Sequence, residues 1–203
     1  MFDVLIIGGG VSGLSCALIL GSAGKKEYAA DKKIGIFTHQ KSSALQDGIY
    51  NNVYGVPIGK SGAELMTESI AQLHTLYPHV VQIPNEKVLS VSGAYPDFTV
   101  TTNRNSYHSR QIVVAIGSSN TFAIEGLMQY VIPHQKAIAA KNRIQLANTD
   151  HLVDNGIYVC GTLAGERNQL AIAAGSGAAV GTDILTDWNS GSHAQVHDSI
   201  QKP

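Results

Sequence analysis

Residues 2–20 read FDVLIIGGGVSGLSCALIL, and the reading of this stretch decides the fold. Val4, Leu5, Ile6 and Ile7 form a short aliphatic run, the pattern of a parallel strand buried on both faces. Gly8, Gly9 and Gly10 break that run. Gly13 follows, and Leu14, Ala17 and Leu18 then recur at helical spacing. Gly8-x-Gly10-x-x-Gly13 therefore falls between a strand and a helix. In that setting the first glycine permits the tight turn, the second lets a pyrophosphate approach the backbone, and the third lets helix and strand pack closely. The helix N-terminus adds unpaired N–H groups and the positive end of a dipole. A glycine-rich turn in another kind of α/β protein would look similar in isolation. The strand–turn–helix context favours dinucleotide binding, with Gly8, Gly10, Val11, Ser12 and Gly13 as the contact residues.

The bulk properties narrow the rest. The chain has 203 residues, 44% hydrophobic and 14% charged, which suits a globular domain with a sizeable core. A formal net charge of -1 leaves no basic excess to neutralise phosphates, so a general nucleic-acid binder is not expected. Glycine and serine interrupt every apolar run before it reaches the length of a membrane span. The chain enters a strand at once without a basic leader, so no signal peptide is expected. Cys16 and Cys160 lie far apart and form no C-x-x-C, which fits reduced thiols in a cytoplasmic protein.

Beyond the first helix, Ile34–Phe37 reads as a second strand. Dinucleotide folds commonly place an acid at the end of that strand to hold the adenosine ribose. Here Thr38, His39 and Gln40 follow it, which counts against NAD and FAD alike and leaves the ribose to hydroxyl, imidazole or backbone groups. Residues 41–60 make a long loop of the kind that is more often functional than idle. Ser61-Gly-Ala-Glu64 is a capping box ahead of an amphipathic helix that ends at Pro78. Val80–Ile83 reads as a third parallel strand. Short β-type runs from Val88 to Tyr107 read as a three-stranded antiparallel meander, after which Gln111–Ile116 returns as a separate buried strand. Residues 118–152 carry polar clusters, among them His134-Gln135-Lys136, without clear period. Gly156–Gly161 is a last buried strand, and Leu170–Leu185 is a helix rich in alanine and glycine. One domain over residues 1–188 and a polar, flexible tail over 189–203 are expected. His193 and His197 stand at H-x-x-x-H spacing in that tail with no cysteine near, so no metal site is expected.

Three separated motifs resemble the FAD-binding domain of the thioredoxin-reductase-like pyridine-nucleotide-disulfide oxidoreductases. These are Gly8–Gly13, then Ile112-Val-Val-Ala-Ile-Gly117 directly after a meander, and finally Gly156-Ile-Tyr-Val-Cys-Gly161-Thr162 followed by Gln169-x-x-x-Ala173-Ala174-Gly175. The resemblance implies an α/β, Rossmann-like FAD-binding fold with a parallel sheet, helices and a β-meander crossover. It also implies further cofactor contacts at Thr38, His39, Val88, Ala115, Gly117, Gly161, Thr162, Gln169 and Leu170. In this reading the backbone N–H groups of Gln169 and Leu170 face the flavin pyrimidine edge, where a helix dipole stabilises negative charge on reduction.

The departures are equally specific. About forty residues separate Gly117 from Gly156, too few for the second nucleotide-binding domain that the full-length family inserts there. The redox-active cysteine pair is absent, and Thr162 replaces the aspartate that holds the flavin ribityl chain. The reading that follows is an FAD-dependent oxidoreductase fed by diffusing NAD(P)H or a partner protein, with His134 and Cys160 as candidate catalytic groups and a homodimer as the expected assembly. The alternatives are a non-catalytic FAD-binding module or reductase subunit, and, more weakly, a plain NAD(P)-binding oxidoreductase. The electron donor and acceptor do not follow from the motifs.

Overall fold

The computed structural model describes residues 1–38 and 45–197. In chain order the elements are β1 (Phe2–Ile7), α1 (Val11–Ser22), β2 (Ile34–Phe37), α2 (Gly62–Leu76), β3 (Val81–Ile83), β4 (Val88–Ala94), β5 (Asp97–Thr102), β6 (Ser106–Val114), β7 (Val131–Pro133), β8 (Ile144–Leu146), β9 (Leu152–Asp154), β10 (Ile157–Val159) and α3 (Leu170–Trp188). Four short 3-10 turns complete the set, the last of them Gly161–Ala164.

The main sheet runs β3-β2-β1-β6-β10-β9, with β4 and β5 continuing from β6 as antiparallel neighbours. β1 is central and parallel to both β2 and β6, and β10 is parallel to β6. Its aliphatic run is buried on both faces, as its composition predicts. Val4 and Ile6 face α1 and α3 among Leu14, Cys16, Val180 and Ile184, while Leu5 and Ile7 face the meander side among Phe98, Val100 and Leu163. Because α1 leads from β1 to β2 on one side and β6 lies on the other, the strand order reverses at β1. Ligands of open α/β sheets bind outside the carboxyl ends of the strands at such a point.

The capping box forms as written in the sequence. Ser61 Oγ accepts from Glu64 N at 3.3 Å, and the Glu64 carboxylate accepts from Ser61 N at 3.0 Å. The meander differs from its sequence reading in one respect. Its third strand and the following buried strand are a single element, β6, whose first half pairs antiparallel with β5 and whose second half pairs parallel with β1 and β10. Residues 118–152, which show no period, contain the two-stranded sheet β7–β8, and β9 adds an antiparallel edge beside β10. The expected flexible tail is partly packed: Ala194 is buried and Val196 lies against the helix-side core. α3 ends at Trp188, so His193 and His197 do not share a helix face. Among the described residues no cluster of His, Cys, Asp or Glu is placed to hold a metal ion, and no helix is long and apolar enough to cross a membrane.

Glu86 staples the meander to the end of β3. Its carboxylate accepts from Thr102 Oγ1 at 2.6 Å, Asn105 Nδ2 at 2.8 Å and Tyr107 OH at 2.8 Å. The Thr102 hydroxyl foremost, with Tyr107 and Asn105, holds this carboxyl below the usual glutamate range against the opposing effect of desolvation. A depressed folded-state pKa contributes stability that is present above the unfolded value, near pH 4.3, and is lost as pH falls through the folded value. Melting temperatures measured from pH 6 down to pH 3 are therefore expected to fall, and Glu86→Gln is expected to flatten that decline. Identical profiles for the two proteins would rule out the staple as a source of acid sensitivity.

Candidate functional site

The turns that follow the carboxyl ends of β1, β6 and β10 meet along one edge of the sheet. Their glycines set how closely they meet. Gly8 lies at φ +118°, and a Cβ there would stand 2.6 Å from Ala115 O, so the first motif crosses directly over the second. A Cβ on Gly13 would stand 1.9 Å from Gly8 O, which makes Gly13 the point where α1 closes onto the turn. Gly10 is different. It is the N-cap of α1, its backbone is extended, and a Cβ there would meet no atom within 4 Å among the described residues. Gly117 at the end of the second motif is likewise open.

The third motif closes onto the first. Cys160 N donates to Val114 O at 3.1 Å, carrying the chain off β10 beside β6. Gly161 lies at φ +72°, and a Cβ there would stand 2.6 Å from Ser12 Oγ. Ser12 belongs to the first turn of α1, so residues far apart in sequence share one small space. Thr162 is half-buried, and its hydroxyl has no side-chain or backbone partner among the described residues. α1 and α3 both begin without a side-chain cap. Among the described residues nothing outside the helices accepts from their first-turn N–H groups, which stand at positive dipole ends.

Most of the residues expected from the sequence come together here. Gly8, Gly10, Val11, Ser12, Gly13, Ala115, Gly117, Gly161 and Thr162 line the edge, and Gln169 and Leu170 open α3 beside it. Thr38 leaves β2 with its N–H donated to Ile83 O at 3.0 Å, while His39 lies outside the described residues. Val88 has its side chain in the meander-side core with Phe37 and Ile83, so a contact from this position to a ligand would come from its backbone. Cys160 is fully buried and desolvation pushes its thiol up to about 12, against a hydrogen bond from Ser12 that lowers it. Burial and the raised pKa both disfavour a thiolate at neutral pH. Cys16, buried in the same core, is shifted upward by desolvation and by Cys160.

His134 is half-buried, and its Nδ1 accepts from Lys136 N at 3.1 Å. Lys136 Nζ pairs with Glu166 Oε2 at 3.1 Å, which ties this polar cluster to the loop after Ala164. Several anchors left no mark in the sequence reading. Ser15 Oγ donates to Ala174 O at 2.7 Å, clasping α1 to α3, and Ser176 Oγ accepts from Gly161 N at 2.9 Å. A cavity of about 180 Å³ lined by Tyr95, Phe98, Tyr130 and Asp154 lies toward the start of β10, away from the glycine motifs, and takes no part in the site.

The sequence profile described as pyridine nucleotide-disulphide oxidoreductase matches residues 2–164. The chain belongs to this family. It is 30% identical over 157 residues to ferredoxin–NADP reductase 1 of Bacillus cytotoxicus, covering 75% of this chain and 40% of that protein. It is 25% identical over 196 residues to ferredoxin–NADP reductase of Streptococcus equi subsp. zooepidemicus, covering 97% of this chain and 54% of that one. The chain thus spans about half the length of these two relatives or less. Among solved structures it resembles a thioredoxin reductase from Gloeobacter violaceus (TM-score 0.73, 16% identity, 98% of each chain). It also resembles a ferredoxin-flavin thioredoxin reductase from Clostridium acetobutylicum (TM-score 0.68, 14% identity, 93% of this chain and 98% of that one). At those identities the structures establish the fold, a mainly parallel sheet flanked by helices and a meander, and the family match places the chain among the pyridine nucleotide-disulphide oxidoreductases.

Proposed function

We propose that this chain is an FAD-binding oxidoreductase module that takes electrons from diffusing NAD(P)H or from a partner protein. The observation that carries the reading is the open space at Gly10 and Gly117 beside Gly8, Gly13 and Gly161, which are packed against backbone or side chains. Nothing among the described residues needs Gly10 to be glycine, whereas a pyrophosphate lying on the backbone does. The residues present fit the group. The first-turn N–H groups of α1 face the phosphates, the free Thr162 hydroxyl suits a ribityl hydroxyl, and the N-terminus of α3 at Gln169 and Leu170 favours negative charge at the pyrimidine edge. Bound FAD supplies the reversible uptake of electrons, and the protein supplies position, dipole and access. The purified protein is expected to be yellow, with FAD retained through gel filtration. A colourless protein that takes up no added FAD would refute the reading.

A second reading, a silent FAD module or a subunit of a larger reductase, is favoured by one specific pair of features. The segment between Gly117 and Gly156 folds into β7, β8 and β9 rather than a nucleotide-binding domain, and both cysteines are buried and unpaired. Anaerobic mixing with NADH and NADPH separates the readings. Rapid bleaching of the flavin by either supports an enzyme with its own donor site, and no bleaching by both leaves a partner-dependent enzyme or the silent module or subunit. We further propose a cytoplasmic homodimer, in keeping with the two free thiols and with Tyr54 and Ile58 standing fully exposed on the loop ahead of α2.

A further inference from the structure

The turn between β8 and β9 holds an unusual residue at a demanding position. Thr149 and Leu152 exchange both backbone hydrogen bonds at 2.9 Å, closing a two-residue hairpin over Asp150 and His151. Both central residues have positive φ, +47° and +70°. Such turns favour asparagine or aspartate followed by glycine, because a side chain in the left-handed region costs energy. Asp150 suits its place. His151 occupies the position where glycine would be strain-free.

The imidazole has a definite contact there. His151 Nε2 lies 2.9 Å from Ser176 Oγ, and the same oxygen accepts the Gly161 N–H at 2.9 Å. Ser176 is buried on α3, directly behind the third glycine motif. The rest of the turn grips the same loop at its other flanks. His151 O accepts from Val159 N at 2.9 Å, Asn148 Oδ1 accepts from His151 N at 3.2 Å, and Asn148 Nδ2 donates to Ala164 O at 3.2 Å. One hairpin turn therefore touches the strand before the Gly161–Ala164 loop, the loop's far end, and, through Ser176, its first amide.

We propose that His151 and Ser176 are positioning residues that fix the Gly161–Thr162 backbone for the cofactor, acting through the chain His151 Nε2–Ser176 Oγ–Gly161 N. This rests on the FAD reading above. A buried amide that loses its acceptor pays the full cost of desolvation, and the left-handed Gly161 is the residue with most freedom to move when that happens. The strain kept at His151 is offset by this contact.

The test uses the full chain, with and without FAD. His151→Gly relieves the backbone, so its melting temperature is expected to equal or exceed that of wild type. Its FAD affinity is nevertheless expected to fall about threefold to tenfold, and the Gly161 amide of the FAD-free protein to exchange with solvent about tenfold faster by NMR. Ser176→Ala is expected to lower FAD affinity about tenfold, and Ser176→Thr, which keeps the hydroxyl, to restore most of it. The double variant His151→Gly/Ser176→Ala is expected to bind no worse than Ser176→Ala alone, because both changes cut one chain. Wild-type FAD affinity and Gly161 exchange in His151→Gly, or strictly additive losses in the double variant, would overturn the proposal while leaving the FAD reading intact. A wild-type protein that fails to bind FAD removes both.

Discussion

Gly10→Ala is expected to lower FAD affinity by about 100-fold or more while the FAD-free protein melts within about 3 °C of wild type. The two halves of this expectation come from separate observations. The Gly10 backbone is extended, a conformation open to any residue, and a Cβ there meets nothing among the described residues. The one structural penalty is the replacement of glycine by alanine at a helix N-cap, under about 1 kcal/mol. A pyrophosphate, however, would lie where that Cβ projects. Moving it outward by a methyl radius would lengthen every bond it makes to the N–H groups of α1. Isothermal titration with FAD together with a thermal melt of the apoprotein checks both halves. Unchanged affinity would mean that no phosphate sits over Gly10, and the dinucleotide reading of the first motif would fail with it.

The second large effect belongs to packing. Gly177→Ala is expected to destabilise the protein by about 3 kcal/mol or more, a drop of roughly 6–12 °C in melting temperature. A Cβ on Gly177 would stand 1.9 Å from Ser12 O and 2.9 Å from Ser12 Cα, both backbone atoms that no rotamer change can move. α3 would have to withdraw from α1. Since Ser12 also abuts Gly161, the displacement would open the cofactor edge, so FAD affinity is expected to fall as well. Gly181, one turn further along α3, supplies the control. A Cβ there would stand 3.0 Å from Ile19 Cβ and Cγ2 and 3.2 Å from Cys16 O, a conflict of a few tenths of an ångström rather than a full overlap, so Gly181→Ala is expected to cost clearly less than Gly177→Ala. Equal melting temperatures for the two variants would mean that α1 and α3 are not held backbone to backbone at Ser12.

What the sequence by itself determined is what local physics encodes. A run of aliphatic residues at Val4–Ile7 followed by three glycines specifies a doubly buried strand and a tight turn, whatever surrounds it. Ser61 and Glu64 specify a helix start because the bonds they make span three residues. The second and third glycine motifs and the α3 helix were legible for the same reason, and with them most of the residues that meet along this edge of the sheet.

Only the tertiary structure decided the rest. β7, β8, β9 and β10 have three residues each, too short to show a period, and of these only β10 was announced by its flanking glycines. β6 reads as two strands because its neighbours change halfway along, from β5 to β1 and β10, and its exposure pattern changes with them. Val88 opens β4 outside the three motifs, and only the fold shows its side chain in the core with Phe37 and Ile83. The contacts of Gly177 with Ser12, Gly161 with Ser12, and His151 with Ser176 join residues distant in sequence. A glycine required by a neighbour on another element, or a histidine that spends backbone strain on one hydrogen bond, leaves no periodic trace. Such demands arise only when two helices and a hairpin turn are brought within a few ångströms by the sheet between them.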